Sequence, residues 1–199
     1  MPTTPTTSPG APLTAAPSPR QRLLDAADAL FYARGIQNTG VDAVLARAEV
    51  ARKTLYHQFG GKDGLVEAYL RSRDAGWRAH WARTVEARTT PRDRVLALFD
   101  ALEAWRPDEE RARGCAFHDA LIEVADPDHP ASGAVRDHWA GLRAQLGALV
   151  AATGVGDPED VTDDVFLVYR GVLAAMSAES VSTAVARGRR LADRRLQEA

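Results

Sequence analysis

The residues best suited to chemistry in this chain are clustered between positions 52 and 59. The cations are Arg52 and Lys53, and the hydroxyl groups belong to Thr54 and Tyr56. His57 supplies an imidazole, Gln58 an amide, and Leu55 and Phe59 are apolar. Leu55 and Phe59 lie four residues apart, which places them on the same face of an α-helix. The pattern predicts a helix that is held by this apolar face and presents its polar face to a polyanion.

A second short helix must position this one. Its apolar residues recur at steps of three or four and are Val41, Val44, Leu45 and Ala48. Thr39 precedes them, and we expect its hydroxyl to cap the helix by accepting a hydrogen bond from a backbone N–H. Glu49-Val50-Ala51 then forms a tight turn before the cationic helix. Two such helices predict a helix-turn-helix, whose second helix enters the major groove of DNA. In that groove Arg52 or Lys53 would donate to guanine O6 and N7.

Several short motifs follow one another at the spacing of a known family. They are Phe31-Tyr32-Ala33-Arg34-Gly35, Thr39-Gly40-Val41, Thr54-Leu55-Tyr56 with Phe59, and Lys62-Asp63. The stretch from Arg20 to Leu70 therefore resembles the DNA-binding domain of the TetR/AcrR family of transcriptional regulators. Three positions depart from the family pattern. Glu49 replaces the usual turn glycine, Ala51 replaces a serine that would cap the third helix, and Gly40 is a flexible residue beside the second helix.

The resemblance assigns roles to further side chains. It implies that Thr54 and Tyr56 donate to phosphates, which fixes the register of the protein on DNA. Lys62 would pair with a phosphate at the positive end of the fourth helix, and His57 would touch a base edge or a phosphate. The alternative is a solvated polar face on an ordinary helix. The predicted DNA-binding set is Thr39, Arg52, Lys53, Thr54, Tyr56, His57 and Lys62.

Composition limits the class of protein. Residues 20–80 carry ten basic and seven acidic side chains, whereas residues 81–199 carry fifteen and twenty, although the whole chain has a net charge of −2. A cationic head on an anionic body suits a DNA reader with a separate effector-binding body. The single cysteine, Cys115, excludes an intramolecular disulfide, and we expect it to pack as a small apolar residue. No apolar run is long enough to span a membrane, so we predict no membrane partner and a cytoplasmic location.

The rest of the chain predicts an all-α fold of about nine helices. Residues 1–19 hold six of the eleven prolines and lack the pattern of a signal peptide, so we expect a disordered arm. A three-helix domain with the helix-turn-helix should cover residues 20–66. Residues 67–199 should form a larger effector-binding and dimerisation domain, with a loop at Pro107-Asp108-Glu109-Glu110. In this second part, Gly114-Cys115-Ala116-Phe117 and Asp126-Pro127-Asp128-His129-Pro130 resemble a pattern frequent in the same family.

The resemblance implies a ligand pocket and a dimer interface in the second domain. The large residues available to line an apolar pocket are Trp77, Trp81, Phe99, Leu102, Trp105, Phe117, Leu121, Trp139, Leu142, Phe166 and Tyr169. Each of these also fits an ordinary core position. The apolar stripes of the last two helices predict a four-helix interface made by Val161, Val165, Val168, Val172, Met176, Val181, Val185 and Ala192. Gly171, Ala174, Ala175 and Ala178 are small enough to let a partner approach closely, and packing inside one subunit is the alternative.

These features predict a homodimeric, ligand-responsive transcriptional regulator. The resemblance implies a repressor that leaves a palindromic operator when a small molecule binds. One alternative is a DNA-binding regulator without an effector, and another is a helical metal-sensing or enzymatic module. We expect no enzyme, because the sequence lacks the nucleophile elbow, the phosphate loop and the other catalytic motifs. We also expect no cofactor and no metal, since His118, Asp119 and Glu123, or Asp126, Asp128 and His129, match no known ligand spacing.

Overall fold

The computed structural model describes residues 16–105, 114–124 and 126–199. These residues form nine helices and no strand, as predicted. In chain order they are α1 (Pro19–Arg34), α2 (Val41–Ala48), α3 (Arg52–Phe59), α4 (Lys62–Glu86), α5 (Pro91–Ala104), α6 (Ala116–Glu123), α7 (Pro130–Ala151), α8 (Pro158–Ala175) and α9 (Val181–Glu198). Most of the predicted arm and the predicted loop at Pro107–Glu110 lie outside the described residues.

Local sequence signals fix several helix ends. A side-chain oxygen caps the first turn of α1, α5, α8 and α9 by accepting a hydrogen bond from a backbone N–H. These caps are Ser18, Thr90, Asp157 and Ser180. Proline stands in the first turn of α1, α5, α7 and α8, where its missing N–H costs nothing. Gly35 ends α1 with φ +88°, a backbone conformation that residues other than glycine rarely adopt.

Thr39 does not cap α2, and this prediction is wrong. The N-cap residue is Gly40, and no side chain bonds to the first turn. The Thr39 side chain is only 1% exposed, and its hydroxyl donates to the carbonyl oxygen of Gly35 at 2.7 Å. Thr39 therefore closes the loop between α1 and α2 from inside and does not reach the protein surface. Its side chain is removed from the predicted DNA-binding set.

Two apolar cores divide the molecule. The head core holds buried residues of α1–α3 and the first half of α4, together with α6 and the start of α7. The body core holds the second half of α4 and α5, the rest of α7, and α8 and α9. Cys115 and Trp139 pack against both cores, so the predicted packing of Cys115 is confirmed. The proposed domain boundary at residue 66 falls inside the continuous helix α4, which therefore belongs to both units.

Candidate nucleic-acid interface and effector cavity

Helix α3 is attached to the head by one edge. Leu55 is fully buried and Phe59 is half-buried, as the four-residue spacing predicts. Arg52, Lys53 and His57 are exposed on the outer face. The Tyr56 side chain is also exposed, at 51%. Thr54 is half-buried at the edge of the same face.

The turn before α3 takes a conformation that glutamate disfavours. Glu49 has φ +52° and ψ +48°, and it is the non-glycine residue with positive φ among the described residues. Its N–H donates to the carbonyl of Leu45 and closes α2. A left-handed conformation costs a non-glycine residue about 1–2 kcal/mol. Ala51 precedes α3 without a side-chain cap. The head therefore presents α3 at a cost to its own stability.

An acidic partner of Arg52 could not be identified from the sequence. The Arg52 guanidinium forms an ion pair with Asp42 in the first turn of α2. Both side chains are exposed, Asp42 at 83% and Arg52 at 55%. An exposed pair contributes about 0–1 kcal/mol to stability. Its consequence is for binding, because the cation nearest the start of α3 is engaged by an anion in the free protein.

Lys62 opens α4 close to the same surface. It is half-buried, and no side chain caps this helix end, so backbone N–H groups are available there. Gly64 in the next position but one lets the two helices approach. A Cβ atom at Gly64 would collide with the carbonyl oxygen of Phe59 at the end of α3. The close approach holds the start of α4 against α3. Lys62 therefore lies beside the exposed face of α3, and the two together are called the recognition surface below.

A cavity of about 350 Å³ opens between the two cores. Five predicted pocket residues line it, namely Trp77, Leu102, Trp105, Phe117 and Tyr169. The other six do not, which corrects the predicted set. Trp81, Phe99 and Leu142 fill the body core, Trp139 and Phe166 pack beside it, and Leu121 is exposed. Helical periodicity predicts which residues are buried, but it does not predict which buried residues border a void.

The sequence-based set also missed the polar part of the lining. Tyr32, Arg73, His138, Ser180 and Ser182 contribute side chains with hydrogen-bonding groups. The remaining unpredicted lining residues are Gly114, Cys115, Ala116, Leu173, Met176 and Val181. The Gly114–Phe117 motif, which the family resemblance had singled out, forms part of this lining. No sequence signal distinguished Arg73 or His138 from surface residues of an amphipathic helix.

His138 is held in a defined position within the lining. Its Nδ1 lies 2.6 Å from Asp74 Oδ1, and its ring stacks on Phe117 with centroids 3.6 Å apart and planes at 4°. Asp74 also accepts from Arg78 Nε at 2.6 Å. Burial lowers the pKa of His138, against the opposing effect of Asp74. The imidazole is therefore neutral at pH 7, with its proton on Nδ1 directed to the carboxylate.

The predicted dimer stripes lie inside the subunit, and the set is corrected here. Five of its members are buried in the body core, namely Val161, Val165, Val172, Val185 and Ala192. The other three, Val168, Met176 and Val181, are half-buried against the same core. The exposed side of α8 instead carries Leu167, at 70% exposure, with Gly171 and Ala174 beside it. Packing inside one subunit, the alternative weighed for these stripes, is what the structure shows.

Two further features of the described residues concern membranes and metals. No described helix is both long enough and apolar enough to cross a membrane. Within residues 16–105, 114–124 and 126–199, no three His, Cys, Asp or Glu side chains converge on a point where a metal ion would fit.

Comparison with known proteins now identifies the family. Residues 23–69 match the family of bacterial regulatory proteins called the tetR family. The regulator BetI of Burkholderia ambifaria is 38% identical over 84 residues, which cover 41% of this chain and 43% of that protein. A TetR-family transcriptional regulator of Streptomyces coelicolor is 31% identical with a TM-score of 0.83, over 90% of this chain and 95% of that one. The chain belongs to the TetR family.

A second TetR-type regulator, from Streptomyces avermitilis, is 30% identical with a TM-score of 0.71, over 89% of this chain and 99% of that one. The TetR-family chain described here is therefore a DNA-binding transcriptional regulator and not an enzyme. Its match to BetI covers less than half of that protein. Because the likeness to BetI spans less than half of either chain, the body of this TetR-family regulator must be interpreted from its own residues.

Proposed function

We propose that this protein is a homodimeric repressor that a small molecule releases from a palindromic operator. One observation carries the proposal. The same subunit combines an exposed cationic recognition helix with an aromatic cavity, and α4 runs from one to the other. A DNA-binding head needs no cavity to bind DNA, so a cavity of about 350 Å³ at the junction of the two cores is best explained as a control site.

The recognition helix supplies two kinds of contact. Arg52 or Lys53 donates to guanine in the major groove, whereas Tyr56, Thr54 and Lys62 contact phosphates and fix the register. Two copies of α3 in a dimer would enter successive major grooves about 34–36 Å apart. A two-fold symmetric protein then requires a two-fold symmetric operator.

Two connections link the cavity to the head. Trp77 lines the cavity from α4, whose first turn carries Lys62. Phe117 lines it from α6, whose last residue, Glu123, accepts a hydrogen bond from the backbone N–H of Gln37 at 2.7 Å. A ligand that favours a different position of α4 and α6 would favour a different head orientation. By linkage, the operator must weaken ligand binding by the same factor.

The dimer is proposed to form through the exposed side of α8. Leu167, Gly171 and Ala174 follow one another at steps of four and three residues on α8 and are exposed, and Ala178 is exposed in the turn after the helix. The three small residues let a second helix approach closely, and Leu167 supplies an apolar contact. Helix α9 packs against α8 within the subunit, so it can take part in an interface formed beside this stripe. A two-fold axis here would create a four-helix interface.

The phosphate contacts can be tested by a double variant, Tyr56→Phe with Lys62→Ala. First, an operator is obtained by selecting bound fragments from random duplexes, and we expect a two-fold symmetric site. The double variant should then bind this operator about tenfold or more weakly at moderate salt, with a flatter salt dependence. Arg83→Ala, an exposed cation near the far end of α4, is the matched control and should bind like the parent. Unchanged affinity of the double variant would mean that the assigned contacts are wrong.

A further inference from the structure

One cationic side chain lines the cavity, and the carboxylate that pairs with it lies outside the lining. Among the described lining residues, Arg73 has the side chain that is ionised at neutral pH. Its Nη1 donates to Asp28 Oδ1 at 2.7 Å, and its guanidinium lies 4.6 Å from the centre of the Tyr32 ring. Asp28 belongs to α1 and does not line the cavity. The Arg73 cation is thus paired before any ligand arrives.

This pairing disfavours charged ligands of both signs. A ligand anion would meet a guanidinium whose charge Asp28 already offsets. A ligand cation would meet Arg73 and would find no described carboxylate in the lining. In both cases the ligand would lose its hydration without gaining an unpaired counter-charge, and this desolvation opposes binding. The electrostatics of the lining therefore favour an uncharged molecule.

Aromatic side chains define the shape of the lining. The Trp77 ring lies 5.8 Å from Trp105 at 82° and 6.5 Å from Tyr169 at 30°. Phe117 and His138 form a second, parallel pair. Aromatic rings pack best against other rings, in stacked or edge-to-face arrangements. A flat aromatic ligand makes such contacts with several of these residues at once, whereas a branched aliphatic one does not.

His138 adds a directional polar group. Because Nδ1 and its proton are committed to Asp74, Nε2 is the nitrogen left for a ligand, and no described residue bonds to it. A neutral imidazole protonated at Nδ1 is a hydrogen-bond acceptor at Nε2. The lowered pKa, caused by burial, keeps the ring in this state at pH 7. The ligand that complements Nε2 carries an O–H or N–H donor.

We propose that the effector is an uncharged, planar aromatic compound that donates a hydrogen bond from an O–H or N–H group to Nε2 of His138. This inference rests on the proposed function, since it takes the cavity as the effector site. The phenols and the N–H heteroaromatic compounds are the chemical classes that meet all three conditions.

A matched series of four naphthalenes keeps the planar ring system constant and separates the effect of charge from the effect of the hydrogen-bond donor. 2-Naphthol is neutral with a donor, naphthalene has no donor, 2-naphthoate is an anion and naphthalen-2-ylmethylammonium is a cation. Binding to the full chain is measured by quenching of tryptophan fluorescence, with release of a labelled operator as a second measurement. We expect 2-naphthol to bind about tenfold or more tightly than either charged compound, and about fivefold more tightly than naphthalene.

Two variants test the residues that carry the inference. His138→Phe keeps a ring on Phe117 and removes the acceptor, so the preference for 2-naphthol over naphthalene should disappear. His118→Phe, on α6 and outside the lining, is the matched control and should keep that preference. Asp28→Asn removes the partner of Arg73 and should raise the affinity for 2-naphthoate about fivefold relative to 2-naphthol. This second variant tests the charge argument even if the first one fails to fold.

The outcomes separate the inference from the proposed function. Tighter binding of 2-naphthoate or the ammonium compound to the parent protein would overturn the inference. So would a failure of all four compounds to bind while a compound from a wider lipophilic set releases the operator, a result that leaves the proposed function intact. If no compound in the wider set releases the operator, the proposed function fails and the inference fails with it.

Discussion

The exposed side chains of α3 differ in whether they already form an ion pair in the free protein. Lys53 and Tyr56 are exposed and make no ion pair in the described structure, whereas Arg52 is paired with Asp42. The Asp42 carboxylate is 83% exposed and would lie near phosphates in a complex. It therefore opposes binding in two ways, through repulsion of the DNA backbone and through competition for Arg52.

Replacing Asp42 with alanine should tighten DNA binding. We expect Asp42→Ala to raise the affinity for DNA about two- to fivefold at low salt, and less at high salt, because screening weakens both effects. The melting temperature should change little, since an exposed ion pair contributes about 0–1 kcal/mol. The measurement is fluorescence anisotropy with labelled duplex at several salt concentrations. In an Arg52→Ala background the gain should shrink, and weaker binding by Asp42→Ala would contradict this role.

The sequence predicts residues of this surface more reliably than residues of the cavity. Leu55 and Phe59 could be placed inward from spacing alone, because a helix with two apolar residues offers one way to pack. Thr39 could not be placed, since its hydroxyl has several possible acceptors and the fold selects the carbonyl of Gly35. Arg73 and His138 border the cavity because α4 and α7 meet there. Such a meeting depends on tertiary packing that no local pattern encodes.

At the scale of elements, the turn between α2 and α3 is strained. Glu49→Gly should increase the free energy of unfolding by about 1 kcal/mol, because glycine takes the left-handed conformation without the steric cost paid by glutamate. The greater entropy of glycine in the unfolded chain offsets part of this gain. Chemical denaturation followed by circular dichroism measures the change. Gly40→Ala, at a residue with ordinary negative φ, serves as the control and should not reproduce it. A less stable Glu49→Gly protein would show that the turn carries no strain.

Helix α6 connects the cavity to the head through a short set of hydrogen bonds. Its first turn lines the cavity with Ala116 and Phe117, and its last residue is Glu123. Besides the bond from the Gln37 backbone to the Glu123 carboxylate, Gln37 Nε2 donates to the Glu123 carbonyl at 2.7 Å. The loop between α1 and α2 is therefore bonded to the last residue of α6 at two points.

Removing the Glu123 carboxylate should weaken the communication between cavity and head. With Glu123→Ala, the affinity for the operator in the absence of ligand should stay within about threefold of the parent. The loss of affinity caused by a releasing compound should shrink about fivefold, a large part of a typical coupling energy of about 1–3 kcal/mol. Operator affinity measured with and without saturating compound gives both numbers. Glu103→Ala, an exposed residue of α5, is the control. An unchanged ratio would mean that α4 alone carries the signal.

The apolar stripes of α8 show what hydrophobic periodicity can and cannot predict about a helix. Hydrophobic periodicity correctly placed apolar stripes on the last two helices, α8 and α9. The same periodicity could not tell the side that packs on α5, α7 and α9 from the side left for a partner. The valines of α8 pack in or against the subunit core, whereas Gly171 and Ala174 are exposed. Branched side chains fill a core better than glycine and alanine do, and this distinction decides the assignment.

At the scale of the whole molecule, the proposed dimer would hold two heads at a fixed spacing on DNA. A single α3 offers few phosphate contacts, and the joint binding of two heads raises affinity far beyond that of one. The exposed stripe on α8 lies in the body, away from the recognition surface on α3 and α4. Leu167, Gly171 and Ala174 do not line the cavity either, so a change there should act on operator binding through the assembly of the dimer.

Gly171 gives the sharpest test of this assembly. A Cβ atom added there meets no atom within 4 Å, so Gly171→Glu should leave the subunit folded, with an unchanged circular dichroism spectrum. In a dimer the two glutamates would face each other across a closely packed interface, and their burial and repulsion should disfavour it strongly. We expect a monomer in sedimentation velocity and operator binding weaker by about tenfold or more. Gly133→Glu, at a helical glycine of α7 where an added Cβ atom also meets nothing within 4 Å, should remain dimeric and bind normally. If Gly171→Glu still forms dimers that bind the operator, the partner subunit packs on another face.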